Sequence, residues 1–246
     1  MSAFLEGISF LGRETLRIVL PSACVVCRGE LPWRARAASC CAPCWRDLPR
    51  LEGVRCRRCA AAWPGAPEGA DFLCLHCAAV PSDPIDRIDA WGEYQGGLER
   101  LLVAFKFERH DFLDAPLAEL LLQAWAARGD ADVEAVAAVP MHPRKMRARG
   151  YNQAALLARK FASASGLPFL PVALSKVRES EPQSTLHRDE RALNVKGAFQ
   201  AAACVAGADI LLIDDICTTG ATLRACAKAM RRAGAERVVG LTVARA

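Results

Sequence analysis

Between residues 85 and 246 the chain alternates short apolar runs with longer runs at helical spacing. IDAWGEY (88–94), VEAVAAVP (133–140), LPFLPVAL (167–174), ADILLIDD (208–215) and RVVGLTVAR (237–245) predict strands. Residues 97–107 and 112–128 predict helices, the second through Leu113, Leu117, Leu120, Leu121 and Trp125. NQAALLARKFASASG (152–166) and TLRACAKAMRRAGA (222–235) also follow a helical period, with stops at Gly166 and Gly234. Strands alternating with helices over short connections predict an α/β fold, a parallel sheet flanked by helices on both faces. In such sheets ligands bind at the carboxyl ends of the strands.

Ahead of residue 85 the pattern is different. Phe4, Ile8, Leu11 and Val19 fall near one face of a short packing helix or a membrane-surface helix. Glu6, Arg13, Glu14 and Arg17 interrupt any signal-peptide core. No stretch approaches the ~20 apolar residues of a membrane span, so a cytoplasmic protein without membrane insertion is expected. AAAWPGAPEGADFLC and then VPSDPID loosen the chain. They predict a boundary near 80–85, and so domains at 1–84 and 85–246.

Composition sharpens the first of these. The chain has 246 residues, 52% of them apolar, enough for a sizeable core beside a small module. It has 12 cysteines, and all but Cys204, Cys217 and Cys226 lie between 24 and 77. Four Cys-x-x-Cys pairs stand in order: Cys24/Cys27, Cys41/Cys44, Cys56/Cys59 and Cys74/Cys77. Each is a knuckle that aims two sulfurs at one ion, and two knuckles complete a tetrahedral zinc site. Four knuckles predict two structural Zn2+ ions; a redox motif normally comes once, ahead of a helix. The intervening stretches are similar in length, so consecutive, nested and crossed pairings all stay open. Cys40 is a spare thiol or a substitute for Cys41, and His76 reads as a surface residue.

The formal charge of +5 overstates the positive character. Eight thiolates on two zinc ions contribute −4, leaving about +1, which gives little support to a nucleic-acid partner by itself. Arginines 28, 34, 36, 46, 50, 55, 57 and 58 face only Glu30, Asp47 and Glu52 between 24 and 59. That excess suits either contact with nucleic acid or neutralisation of the zinc thiolates.

The most informative stretch is ILLIDDICTTGATL (210–223). A buried strand delivers Asp214 and Asp215 to one point, where carboxylates can accept from the hydroxyls of a ribose or approach Mg2+. Cys217, Thr218, Thr219, Gly220, Ala221 and Thr222 then lead into a helix, whose first amides attract a phosphate. Cys217 itself reads as a packing thiol. A strand followed by an ordinary capped helix explains one Asp and one Thr, not the repetition of each. The usual nucleotide loops, G-x-x-x-x-G-K-[ST] and G-x-G-x-x-G, are absent.

This stretch resembles the phosphoribosyl-pyrophosphate signature of type I phosphoribosyltransferases. With the four knuckles, VPMHPRKMRARGYNQA (139–154) and TLHRDERALNVKGAF (185–199), the chain from about Pro21 onward resembles the ComF family of competence-associated proteins. The resemblance implies a type I phosphoribosyltransferase-like sheet joined to a small zinc-binding domain. It implies that Asp214 and Asp215 orient the ribose, as catalytic groups if the protein turns over. Thr218, Thr219, Gly220, Ala221 and Thr222 would hold the 5-phosphate, and Arg144, Arg147, Arg149 and Gly150, with Lys145, would meet the pyrophosphate of the Mg2+ complex. It further implies that 175–198 is a closing flap, with Gln183, Arg191 and Asn194 at recurrent positions; Thr185, Arg188 and Lys196 match less closely. Lys106 matches a family lysine, lining a site or snorkelling beside its phenylalanines.

Two functions follow from the resemblance. One is a binder of phosphoribosyl pyrophosphate, or a related ribose phosphate, that serves DNA uptake with single-stranded DNA and transformation proteins as partners. The other is an active phosphoribosyltransferase, in which an unknown acceptor attacks the ribose C1 and catalysis rests on positioning and electrostatics.

Overall fold

The computed structural model describes residues 23–31, 39–63, 65, 67, 72–108, 110–128, 133–178 and 197–246. The expected helix within 1–20 and the flap positions Gln183, Thr185, Arg188, Arg191, Asn194 and Lys196 lie outside the described residues. In chain order the elements are α1 (Ala42–Arg46), α2 (Leu75–Ala78), β1 (Arg87–Glu93), α3 (Gly96–Phe107), α4 (Asp114–Arg128), β2 (Ala135–Ala138), α5 (Pro143–Arg149), α6 (Gln153–Ser165), β3 (Leu174–Lys176), β4 (Phe199–Ala201), β5 (Asp209–Cys217), α7 (Ala221–Arg232) and β6 (Arg237–Arg245). The described residues divide into two compact units, one within Met1–Leu48 and Gln95–Leu113, the other within Pro49–Tyr94 and Asp114–Ala246.

In the first unit α3 buries Leu98, Leu101, Leu102, Ala104 and Phe105, the apolar face of an amphipathic helix. Its N-terminus lies close to the first knuckle. A Cβ on Gly97 would stand 3.0 Å from Leu48 Cδ2 and 3.3 Å from Val26 Cγ1, a tight approach that either side chain must yield to admit. Arg100 on the same helix donates to the Val26 carbonyl. Lys106 is half-buried in the last turn, between buried Phe105 and exposed Phe107.

The second unit is built on a four-stranded parallel sheet of order β1-β6-β5-β2. Ile213 pairs with Leu241 and with Ala138, and Gly92 pairs with Ala244. β5 and β6 are the long central strands, buried at most positions because both faces are covered. Helices α4 and α6 pack on one face, where Trp125 meets Phe161 edge-on at 6.3 Å. On the other face Leu223, Cys226, Ala227 and Met230 of α7 pack with Ile210, Leu212 and Val238 of the sheet and with Leu174 and Phe199.

The structure departs from the sequence pattern in the expected strand 167–174. Phe169 makes one parallel bridge to Val136 and nothing longer. Pro168 and Pro171 flank it, and proline cannot donate to a ladder. The chain turns at 171–173, and β3 instead pairs antiparallel with β4, a strand that the polar stretch around it hides. The ends of the long polar segment 175–198 are thus tied together as a short ribbon.

Candidate functional site: two cysteine tetrads and an amide-lined turn

The knuckles pair consecutively. Cys24, Cys27, Cys41 and Cys44 form one tetrad and Cys56, Cys59, Cys74 and Cys77 the other, each with its four sulfurs within 4.8 Å of one another. The two repeat one local design. Arg28 and Ala60 follow the first knuckle of each at φ 64° and 53°, closing the turn. Cys41 and Cys74 then sit at the N-caps of the short helices α1 and α2. Their N–H groups donate to Cys24 Sγ and Cys56 Sγ, both at 3.4 Å.

Both sites fit zinc. Bonds of ~2.3 Å in a tetrahedron separate the sulfurs by about 3.8 Å. Cys27–Cys41 and Cys59–Cys74 both measure 3.8 Å. Burial opposes the Cys24 thiolate, yet the N–H groups of Cys27, Cys41 and Val26 outweigh it and hold the group down to about 6. Burial likewise opposes Cys56, which the amides of Cys74, Arg58 and Cys59 bring down to about 7. Hydrogen bonding to Cys41, with burial, pushes Cys44 up to about 12, and burial raises Cys59 and Cys77. One thiol in each set ionises readily while others resist, so a divalent cation must replace the remaining protons. Cys41, not Cys40, completes the first tetrad; Cys40 is buried and donates to the Cys41 carbonyl at 3.5 Å. His76 is exposed on α2.

In the same unit as the second tetrad, β5 and β2 are neighbours whose following segments leave the sheet at one edge. β5 continues through Cys217, so Asp214 and Asp215 lie inside the strand rather than beyond its end. Successive strand residues point to opposite faces, so the acids straddle the sheet. Asp215 is 6% exposed, whereas Asp214 is partly exposed and acts electrostatically on Cys226 of α7. The Asp215 N–H donates to Asp214 Oδ1 at 2.9 Å.

The turn after β5 is held from behind by two arginines. Arg245 at the end of β6 donates to the carbonyls of Cys217, at 3.1 Å, and Thr218. Arg224 of α7 donates to the Thr219 carbonyl at 2.8 Å. All peptides here are trans, so each N–H points opposite its carbonyl. The amides of Thr218, Thr219 and Gly220 are therefore directed away from the arginines, and among the described residues none meets a protein acceptor. Thr219 Oγ1 accepts from the Ala221 N–H at 3.3 Å. Gly220 is the N-cap of α7 at φ 76°. Thr218, Thr219, Ala221 and Thr222 are partly exposed. Cys217 is 2% exposed, and burial pushes its thiol up to about 11 although Arg245 and Arg224 pull it down. It is a packing thiol.

The basic segment after β2, which carries the cations expected to meet the pyrophosphate, is a helix. Pro143 supplies its first turn, His142 Nδ1 accepts from the Arg144 N–H at 3.3 Å, and Gly150 at φ 91° ends it. Arg144 and Arg147 are exposed. Arg149 is partly buried and donates to Gln153 Oε1 at 2.8 Å. Asn152 caps α6 through the Ala154 N–H and donates to the Val139 carbonyl at 3.0 Å, locking this helix to the end of β2. Sequence reasoning missed Arg224 and Arg245. Nothing in their local sequence marks them, because their partners include residues well over a hundred positions away.

The fold and site define a phosphoribosyltransferase-like α/β protein that carries a double zinc ribbon. The family model for the phosphoribosyl transferase domain matches residues 147–245, and that for the double zinc ribbon domain matches 15–79. The chain is 30% identical over 226 residues to the DNA utilization protein YhgH of Salmonella typhi, covering 90% of this chain and 96% of that one. It is 28% identical to competence protein F of Haemophilus influenzae, covering 91% and 96%. The chain belongs to the ComF family. A solved glutamine phosphoribosylpyrophosphate amidotransferase from B. subtilis aligns at 23% identity and a TM-score of 0.36, over 52% of this chain and 25% of its own. Among the described residues no helix is long and apolar enough to cross a membrane.

Proposed function

We propose that the chain binds phosphoribosyl pyrophosphate with Mg2+ at this sheet edge. One observation carries the reading: just past the strand that holds Asp214 and Asp215, three consecutive amides at 218–220 have no protein acceptor among the described residues. The amides and the hydroxyls of Thr218, Thr219 and Thr222 donate to a terminal phosphate; the small Ala221 leaves room for it. Asp214, the more exposed acid, accepts from one ribose hydroxyl, and Asp215, on the opposite face of β5, meets its neighbour only round the end of the strand. Arg144, Arg147 and Arg149, with Gly150 allowing close approach, attract the pyrophosphate. We assign Gln183, Arg191 and Asn194, which lie outside the described residues, to contacts with the same ligand. Magnesium neutralises the pyrophosphate charge. We keep a functional division at 84/85 between the zinc module and this site, although the second tetrad shares a compact unit with the sheet.

The relatives are named for DNA utilization and competence. We extend that role to this chain: it acts in the cytoplasm in the handling of incoming DNA, with single-stranded DNA and transformation proteins as partners. The second reading, a phosphoribosyltransferase with an unknown acceptor, is favoured by the retention of both acids and the amide-lined turn. Asp214 and Asp215 would then orient the ribose while the cations stabilise the leaving group. Pyrophosphate release that depends on an added base or amine separates this from salt-sensitive DNA binding without turnover.

Calorimetry with phosphoribosyl pyrophosphate and Mg2+ tests the site directly. Binding by the wild type and its loss in the double variant Asp214→Asn, Asp215→Asn is the expected result. Equal affinity in both proteins removes the ribose assignment.

A further inference from the structure

The second tetrad and the amide-lined turn share two arginines. Arg224 donates through Nε to Asp83 at 2.7 Å and through Nη1 to the Thr219 carbonyl at 2.8 Å, and its Nη2 lies 3.9 Å from Cys77 Sγ. Asp83 is 2% exposed at its side chain and lies six residues past Cys77. Arg245 donates through Nε to the Cys59 carbonyl at 3.0 Å while its Nη1 holds the Cys217 and Thr218 carbonyls. Arg58, next to Cys59, donates to the carbonyls of Cys77, at 2.8 Å, and Val80 at 2.5 Å, so the far side of the tetrad is tied to the Asp83 segment.

We propose that the metal-loaded second tetrad is a positioning device for the anion-binding turn, acting through Arg224 and Arg245. This rests on the reading of 218–220 as the phosphate cradle. Four thiolates around one Zn2+ carry a charge of −2, which holds two guanidinium groups between the tetrad and the turn. A guanidinium is planar and donates in fixed directions, so its position dictates where the carbonyls of Cys217, Thr218 and Thr219 point. Those carbonyls in turn fix the three amides on the opposite side. When the tetrad opens, Cys59 and Cys77 are no longer fixed, both arginines lose one anchor, and the peptide planes are free to rotate. The zinc site then does more than hold a small module together: its occupancy sets the affinity of a site it does not touch.

The test uses the full zinc-loaded chain and three variants. Cys77→Ser opens the tetrad. Arg224→Gln removes the link and leaves the tetrad's ligands in place. Arg231→Gln removes the same charge from the same helix, where it pairs with Asp86 instead. Two readouts are taken. Hydrogen exchange is followed at the amides of residues 221 and 224, which are bonded to Thr219 Oγ1 and the Gly220 carbonyl only while the turn is in place. Calorimetry uses phosphoribosyl pyrophosphate with Mg2+. Cys77→Ser and Arg224→Gln should each speed the exchange and weaken binding about tenfold, the scale of one charge-assisted hydrogen bond. Arg231→Gln should match the wild type in both. Unchanged exchange in Arg224→Gln, or an equal effect of Arg231→Gln, overturns the proposal. If Cys77→Ser does not fold, Arg224→Gln still decides it. If the wild type does not bind the probe at all, the phosphate reading falls, while the exchange data still judge the link between tetrad and turn.

Discussion

The guanidinium of Arg224 fills the space that a side chain on Gly220 would need. A Cβ built there stands 2.5 Å from Arg224 Nη1 and 3.0 Å from Ile88 Cδ1, and the backbone sits at φ 76°. Arginine ends are usually flexible enough to yield, but this one is fixed by Asp83 and by the Thr219 carbonyl. Gly220→Ala should therefore cost about 1–2 kcal/mol for the left-handed backbone alone, plus whatever Arg224 loses by moving. Chemical denaturation measures the first part. The second appears as lost affinity for phosphoribosyl pyrophosphate beyond what the stability change explains. A variant as stable and as tight as the wild type would contradict this geometry.

The thiols give a second prediction. With two zinc ions bound per chain, eight cysteines are engaged. Of the rest, Cys40, Cys217 and Cys226 are buried and Cys204 is exposed. Burial pushes Cys217 up to about 11 and raises Cys40 and Cys226 as well, so none of the three is a thiolate near neutral pH. Mild alkylation of the zinc-loaded protein, read by mass, should therefore modify one thiol quickly, at Cys204. Chelation should add up to eight more, while Cys217 and Cys226 wait for unfolding. Early modification of Cys217 would mean that the strand end is open, and would remove the packing role assigned to it.

Much of this arrangement was readable in the chain because it is local. The runs ILLI and RVVGLTV announce the buried central strands by composition, and Gly166 and Gly234 mark helix ends by backbone freedom. The cysteine pairs announce their metal by spacing, although the choice of partners did not follow, since pairing depends on a fold that brings Cys41 back to Cys24. The strand expected at 167–174 failed for a local reason, two prolines in a ladder position. The roles of Arg224 and Arg245 were invisible for a non-local one. Neutralisation of the zinc thiolates is one of the two readings of the arginines between 24 and 59, contact with nucleic acid the other. Of these arginines, Arg58 bonds to the Cys77 carbonyl, whereas Arg55 pairs with Glu93 at 2.7 Å and Arg50 lies over Trp91 at 5.2 Å. A guanidinium 3.9 Å from a tetrad sulfur, that of Arg224, comes from the far end of the chain.

His110 supplies a pH dependence for the first unit. It is half-buried beside Phe112, ring centroids 5.2 Å apart, and its Nδ1 has no hydrogen-bond partner among the described residues. Burial lowers its pKa from 6.5, Glu108 and Asp111 oppose that shift, and Arg28 adds to it. The unfolded chain therefore binds the proton at a pH where the folded chain does not. Stability from this group is complete above about 6.5 and is lost as the pH falls through the lower folded value. Thermal midpoints between about pH 5 and 8 should fall on the acid side, and His110→Phe should flatten that part of the curve. Parallel curves for the two proteins would assign the acid sensitivity to other groups.

Asp214 separates a structural duty from a ligand duty within one side chain. Its Oδ1 accepts the Asp215 N–H at 2.9 Å, and the rest of the carboxylate is partly exposed at the sheet edge. Asparagine keeps an oxygen for that N–H but loses the charge; alanine loses both. Asp214→Asn should leave the thermal midpoint close to the wild type, whereas Asp214→Ala should lose about 1 kcal/mol for the broken bond. Both should weaken phosphoribosyl pyrophosphate by about tenfold or more, because a ribose hydroxyl donates more strongly to a charged acceptor than to a neutral amide. The two observables must therefore diverge: stability follows the oxygen, affinity follows the charge. If Asp214→Asn binds as tightly as the wild type while Asp214→Ala only loses stability, this carboxylate serves the strand's backbone alone, and the ribose contact must be sought at Asp215.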